Sequence, residues 1–162
     1  GFDGIKPFLN ECKERSKGIF VLLKTSNPSS SELQDLILQD GRKVYELMGE
    51  LIADWGSDLI GKHGYSEVGA VVGATHREQG EALREALPHT FFLVPGYGAQ
   101  GATAEDVAGF FDSKGYGAVI SSSRGITAAW KKYGDGHEPK YADCALEAAE
   151  RMRDEISEFN KL

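Results

Sequence analysis

Four short, nearly continuous apolar runs, each separated from the next by helical patterning, constrain this chain more than any other feature. They are residues 18–23 (GIFVLL), 68–74 (VGAVVGA), 90–94 (TFFLV) and 117–121 (GAVIS). None alternates apolar with polar residues, which is how strands buried on both faces read. Between them, Val44, Leu47, Met48, Leu51, Ile52, Trp55 and Leu59 recur at spacings of three and four, one face of a long helix. Asp3 is placed to cap a first helix carrying Ile5, Phe8, Leu9 and Cys12. Ser29 with Glu32, and Thr75 with Glu78, each fit a capping box. Thr103 opens a helix with Val107, Phe110 and Phe111, closed by Gly115. Ala142, Ala145, Ala149, Met152, Ile156 and Phe159 mark the last helix, and residues 131–140 (KKYGDGHEPK) read as a surface loop. Strands alternating with helices imply an α/β fold with a parallel sheet and right-handed crossovers. Strand starts lie about 50, 22 and 27 residues apart, so the first crossover carries an insertion around 30–65.

The 162 residues, 41% hydrophobic and 27% charged, suffice for one globular domain over 1–162, and no linker or short repeat divides them. No apolar run reaches the ~18–20 residues of a membrane span, and no signal peptide is visible. A net charge of −7 argues against a nucleic-acid surface. Two cysteines, Cys12 and Cys144, make no disulfide framework, and a cytoplasmic location is expected.

In α/β folds the loops at the carboxyl ends of the strands carry function. The third such loop, Pro95 through Gly101 (PGYGAQG), is the most informative. Gly96, Gly98 and Gly101 let the backbone approach a ligand and expose N–H groups, and Gln100 adds a side-chain amide. A flexible glycine turn is the bland alternative. The loop is not a G-x-G-x-x-G dinucleotide fingerprint, and no acidic residue ends a following strand to hold a ribose. The fourth loop sets Arg124 and Gly125 just before a helix start expected at 126–129, an arrangement suited to an anion; a lone arginine there also fits a surface ion pair. Adjacent loops of this kind occupy the phosphate-binding end of a (β/α)8 barrel. The first loop offers Thr25, Ser26 and Asn27 to the polar edge of a heterocycle, or simply a polar turn. Lys24 is the one lysine placed for ligand contact.

Other candidates carry less. His63, His76, His89 and His137 lack metal-ligand spacing. No G-x-S-x-G elbow occurs. Cys12 and Trp55 read as packing on apolar helix faces.

The segments GIFVLLKTSNPSSSELQDL, VGAVVGATH, FFLVPGYGAQGATAEDV and AVISSSRGI, in this order, resemble the bacterial orotidine 5′-phosphate decarboxylases of the longer, type 2 subfamily. The likeness runs over nearly the whole chain. It implies a (β/α)8 (TIM) barrel, usually a homodimer, that converts orotidine 5′-monophosphate to UMP and CO2 with no metal and no organic cofactor. Carried onto this sequence, it implies that Arg124 grips the substrate phosphate with N–H groups near Gly125. It implies that Gln100 bridges phosphate and pyrimidine, and that Ser26 reads the pyrimidine amide edge. Thr25, Asn27 and Gly98 are further binding candidates.

The family's proton-transfer chemistry rests on an Asp-x-Lys-x-x-Asp motif after the third barrel strand, and this chain contains none. Its opening GFDGIKPFL resembles the loop and helix after strand four. The four runs are then strands five to eight, about half of a barrel that takes ~250 residues. The expected partners are the nucleotide substrate and the N-terminal half of the barrel, and the chain alone is expected to be inactive. Two other readings are open. Another phosphate-binding barrel enzyme would need a general base at a strand end, and no Asp or Glu ends these runs. A non-catalytic half-barrel module would need a partner for its sheet edges.

Overall fold

Each apolar run forms a strand. The structure is a computed structural model that describes residues 1–74, 77–98, 101–133 and 140–160. Strands β1 (Ile19–Lys24), β2 (Val68–Val72), β3 (Phe92–Pro95) and β4 (Ala118–Ser121) lie in one parallel sheet in the order β1-β2-β3-β4. Helices separate them: α1 (Phe2–Arg15), α2 (Ser31–Gln34), α3 (Val44–Gly56), α4 (Arg77–Ala86), α5 (Ala104–Ala108), α6 (Ser123–Thr127), α7 (Trp130–Tyr133) and α8 (Tyr141–Asn160).

The core lies on one face of the sheet. Leu23, Val68, Ala70, Val72, Phe92 and Val94 pack with Ile52, Leu83, Val107, Phe110 and Met152 from the helices. The rings of Phe92 and Phe110 meet edge to face, centroids 6.4 Å apart. Fully burying an apolar side chain of this size contributes roughly 1.5–3 kcal/mol. The opposite face differs from the expectation of strands covered on both sides. Phe20, Leu22 and Val119, which alternate with the buried positions, are 47%, 59% and 45% exposed. All the described helices that build the core sit on the other face, so continuous apolar sequence here coexists with one open face.

Several ends move relative to the sequence reading. Helix α1 starts at Phe2, with Gly1 at its N-cap and Asp3 inside the first turn. Ser29 falls in a 3₁₀ turn, Pro28–Ser30, and no side-chain cap bond forms there or at α2. The long helical stripe ends as α3 at Gly56 and tightens to 3₁₀ over Ser57–Leu59. Thr103 does cap α5: it accepts from the N–H of Asp106, whose carboxylate accepts from Thr103 N–H at 2.8 Å. That helix stops at Ala108, leaving Phe110 to turn into the core. Lys131 and Lys132 are helical, in α7. Thr75 and His76 lie outside the described residues, as does His137. Cys12 is buried, as expected.

At the amino ends of the strands, one arginine ties the frame together. Arg84, near the end of α4, is 9% exposed. It donates to the carbonyls of Phe110 (3.1 Å), Leu87 (3.0 Å), Thr90 (2.9 Å) and Gly117 (2.8 Å). Its guanidinium lies 4.0 Å from the centroid of the Phe92 ring. Nearby, the Tyr65 hydroxyl donates to Asp112 at 2.6 Å. Burial, then that hydrogen bond, pushes the Tyr65 phenol up to about 12. Burial opposes the Asp112 carboxylate, but hydrogen bonds from Tyr65 and from the N–H groups of Tyr116 and Lys114 outweigh it and lower its pKa.

Candidate functional site

The four loops following the strands converge at the carboxyl end of the sheet. In the first, a register shift between Leu22 and Lys24 turns both Leu23 and Lys24 inward. A bulge re-aims a side chain in this way. The Lys24 ammonium is therefore held by Asp35 at 2.8 Å, with Ser30 Oγ at 3.4 Å, and lies 5.7 Å from the Tyr45 ring centroid. Its charge is paired within the protein, while the residue also lines the cavity at this end of the sheet.

Thr25 and Asn27 shape the same loop. Thr25 N–H donates to Gln34 Oε1 (3.0 Å), Thr25 Oγ1 to Asn27 Oδ1 (2.6 Å), and Asn27 Nδ2 to Ser29 Oγ (2.9 Å). Ser26 sits between them, half-buried, against Gly73 of the second loop, where a Cβ would come within 2.7 Å of Ser26 N. A cavity of about 500 Å³ opens here, lined by Leu22, Lys24, Ser26, Val71, Gly73 and Pro95.

The third loop leaves β3 two residues further on. Tyr97 is half-buried, and Gly98 and Gly101 take φ of 71° and 92°, a region that favours glycine. Gly98 N–H donates to Ala102 O (2.9 Å) and Gly101 N–H to Gly98 O (3.0 Å), so the loop closes on itself. Gln100 lies outside the described residues.

The fourth loop is already helical where the sequence suggested an approach to a helix. Arg124 and Gly125 occupy the start of α6, both exposed. The first N–H groups of a helix have no carbonyl partner within it. Ser122, 7% exposed, donates from Oγ to Tyr97 O at 2.9 Å and so joins this turn to the glycine loop. A Cβ on Gly125 would collide with Ser122 Oγ. A second cavity, about 480 Å³, is lined by Gly98, Ser122, Arg124 and Gly125, with Lys132 from α7 and Arg151 from α8.

Sequence reasoning missed Lys132, Arg151 and the contact between the Tyr97 hydroxyl and the Glu155 carboxylate on α8. Burial, then that carboxylate, pushes the Tyr97 phenol well above its ordinary value. Glu155 belongs to an ordinary charged helix surface in the sequence, and nothing local marks it.

The structure thus brings Ser26, Thr25, Asn27, Gly98, Arg124 and Gly125 to one end of the sheet, in two neighbouring cavities. Pro95 lines one and Gly98 the other. The first has Thr25, Ser26 and Asn27 on its rim beside the paired Lys24, and the second has Arg124, Lys132 and Arg151 with Glu155, an arrangement suited to a ligand with a polar ring at one end and an anion at the other. Among the described residues, no cluster of His, Cys, Asp and Glu is placed to hold a metal ion, and no helix is long and apolar enough to cross a membrane.

A family model described as orotidine 5′-phosphate decarboxylase / HUMPS matches residues 1–134. A protein named orotidine 5′-phosphate decarboxylase from Caldicellulosiruptor bescii is 52% identical over 133 residues, 82% of this chain and 43% of the relative. One of the same name from Clostridium kluyveri is 42% identical over 161 residues, 99% of this chain and 55% of the relative. The chain spans about half the length of the curated relatives it matches. Among solved structures, the OMP decarboxylase of Leishmania donovani superposes with a TM-score of 0.73 at 31% identity, covering 100% of this chain and 54% of that one. The UMP synthase of the same organism gives 0.73 at 32%, covering 98% and 31%. The four parallel βα units are those of about half a (β/α)8 barrel.

Proposed function

The chain belongs to the orotidine 5′-phosphate decarboxylase / HUMPS family, and from that premise we propose that it is the ligand-gripping half of an orotidine 5′-phosphate decarboxylase of the bacterial type 2 subfamily. In this reading it supplies strands five to eight of the barrel. Its open sheet face and the outer edges of β1 and β4 receive the four βα units of the N-terminal half. The complete enzyme is a cytoplasmic homodimer working without metal or organic cofactor.

The observation that carries the reading is the pair of cavities at the strand ends, one beside Ser26 and one beside Arg124. Arg124 pairs with the phosphate of orotidine 5′-monophosphate, helped by N–H groups around Gly125, and Gly98 lets the loop backbone come close. Gln100 bridges phosphate and pyrimidine. Ser26 reads the pyrimidine amide edge from a loop whose shape Thr25 and Asn27 hold. In the reaction the ring carbon loses its carboxylate as CO2 and keeps the bonding pair, and the resulting carbanion takes a proton to give UMP. The proton donor belongs to an Asp-x-Lys-x-x-Asp motif that this chain does not contain. The share of this half is binding energy: interactions with a phosphate remote from the reacting carbon hold the reacting end in place.

The test is complementation. The chain is mixed with, or fused behind, the N-terminal segment of the Caldicellulosiruptor bescii relative, and loss of orotidine 5′-monophosphate absorbance is followed. Turnover by the combination and by neither part alone is expected. A well-folded complex with no turnover would sink the enzyme reading in favour of a non-catalytic binding module.

A further inference from the structure

The two halves of the anion clamp come from different strands, and something must fix their separation. Ser122 sits at the N-cap of α6 but does not act as a cap. An N-cap serine ordinarily accepts from an N–H in its own helix. Ser122 makes no such bond. Its hydroxyl instead donates across to Tyr97 O at 2.9 Å, 25 residues away in sequence. The hydroxyl is nearly buried, so leaving it unpaired would be costly. Gly125 lies against the same oxygen, in space no Cβ could occupy.

Tyr97 is a matching node on the other side. Gly98 N–H donates to Ala102 O and Gly101 N–H to Gly98 O, so the two ends of the glycine loop are joined to each other just beyond Tyr97. The Tyr97 carbonyl is held by Ser122, and its hydroxyl by Glu155 on α8. A phenol is protonated throughout the neutral range, so the hydroxyl is the donor in this contact.

We propose that Ser122 and Tyr97 are positioning residues that lock the glycine loop to the Arg124 turn, with Glu155 as the outer anchor of the pair. This rests on the decarboxylase reading above. A clamp whose parts are preset spends less binding energy on ordering itself, and a misplacement of about 1 Å can cost about 10²-fold in rate. The effect should therefore depend on the ligand's carrying a phosphate.

The experiment uses the completed barrel, with orotidine 5′-monophosphate and phosphate-free orotidine as substrates. Ser122→Ala is expected to lower kcat/KM about tenfold for the phosphate-bearing substrate, and to leave that for orotidine within about twofold. Tyr97→Phe and Glu155→Gln should each lower the first value about threefold. Their combination should be no worse than Tyr97→Phe alone, because Glu155 acts through Tyr97. Equal losses with both substrates would mean a merely structural role and overturn the proposal, as would no loss with either. If Ser122→Ala fails to fold, Glu155→Gln, a change at an exposed helix position, still reads the same substrate split. A wild-type barrel that turns over neither substrate would overturn the decarboxylase reading and this inference with it. An active wild type with insensitive variants would overturn this inference alone.

Discussion

The two ends of the sheet hold an arginine in opposite ways. At the amino end, Arg84 is buried, donates to four backbone carbonyls and stacks on Phe92. At the carboxyl end, Arg124 is exposed and, among the described residues, makes no ion pair. A guanidinium whose donors are taken up by the backbone is part of the frame. One carried exposed at the start of a short helix makes no such commitment among the described residues. The contrast matches the division of labour in (β/α)8 barrels, with stability at the amino face and ligand chemistry at the carboxyl face.

The comparison can be broken at its strongest point first. Arg84→Met should destabilise the fold by about 3–5 kcal/mol, because four carbonyls lose their donor together. Urea unfolding checks this, and a loss under about 1 kcal/mol would remove Arg84 from the frame. Next, Arg124→Ala in the completed barrel should weaken phosphate-dependent kcat/KM about 100-fold. It should leave the urea midpoint nearly unchanged, as expected for an exposed side chain. A large shift in the midpoint would mean that both arginines are structural.

The smallest effect sharpens the amino end. Tyr65→Phe should cost about 1 kcal/mol through the lost bond to Asp112. The Tyr65 pKa is raised on folding, so its contribution is fully present below about pH 10, the value of a free phenol, and is lost as pH climbs towards the folded value. The stability gap between wild type and variant should therefore stay constant at neutral pH and close between about pH 10 and 12. A gap that persists above about pH 12 would show that the contribution of the hydroxyl does not depend on the proton it gives to Asp112.

Much of this architecture is legible along the chain. The runs at 18–23 and 90–94 sit within two residues of β1 and β3, since an apolar stretch bounded by Gly, Pro and Ser leaves few alternatives. Thr103 is a cap in both sequence and structure because the capping box is a local device. The capping expectation at Ser29 failed for a physical reason. Pro28 starts a 3₁₀ turn, and Ser29 is taken up by the Asn27 side chain. The position of Lys24 at a strand end is visible in sequence, whereas the bulge that turns it towards Asp35 is not.

The four strand segments, the alternation of strands with helices and the presence of a glycine-rich loop after the third strand follow from short-range pattern and chemistry, and the amino-acid sequence was enough to give them. Which sheet face stays open, where the Lys24 charge goes and how the third and fourth loops are joined required the folded chain. Tyr97 and Glu155 are 58 residues apart, and Tyr97 and Ser122 are 25 apart. Such contacts depend on the register of β3 against β4 and on where α8 docks, which are properties of the whole assembled sheet that no single segment encodes.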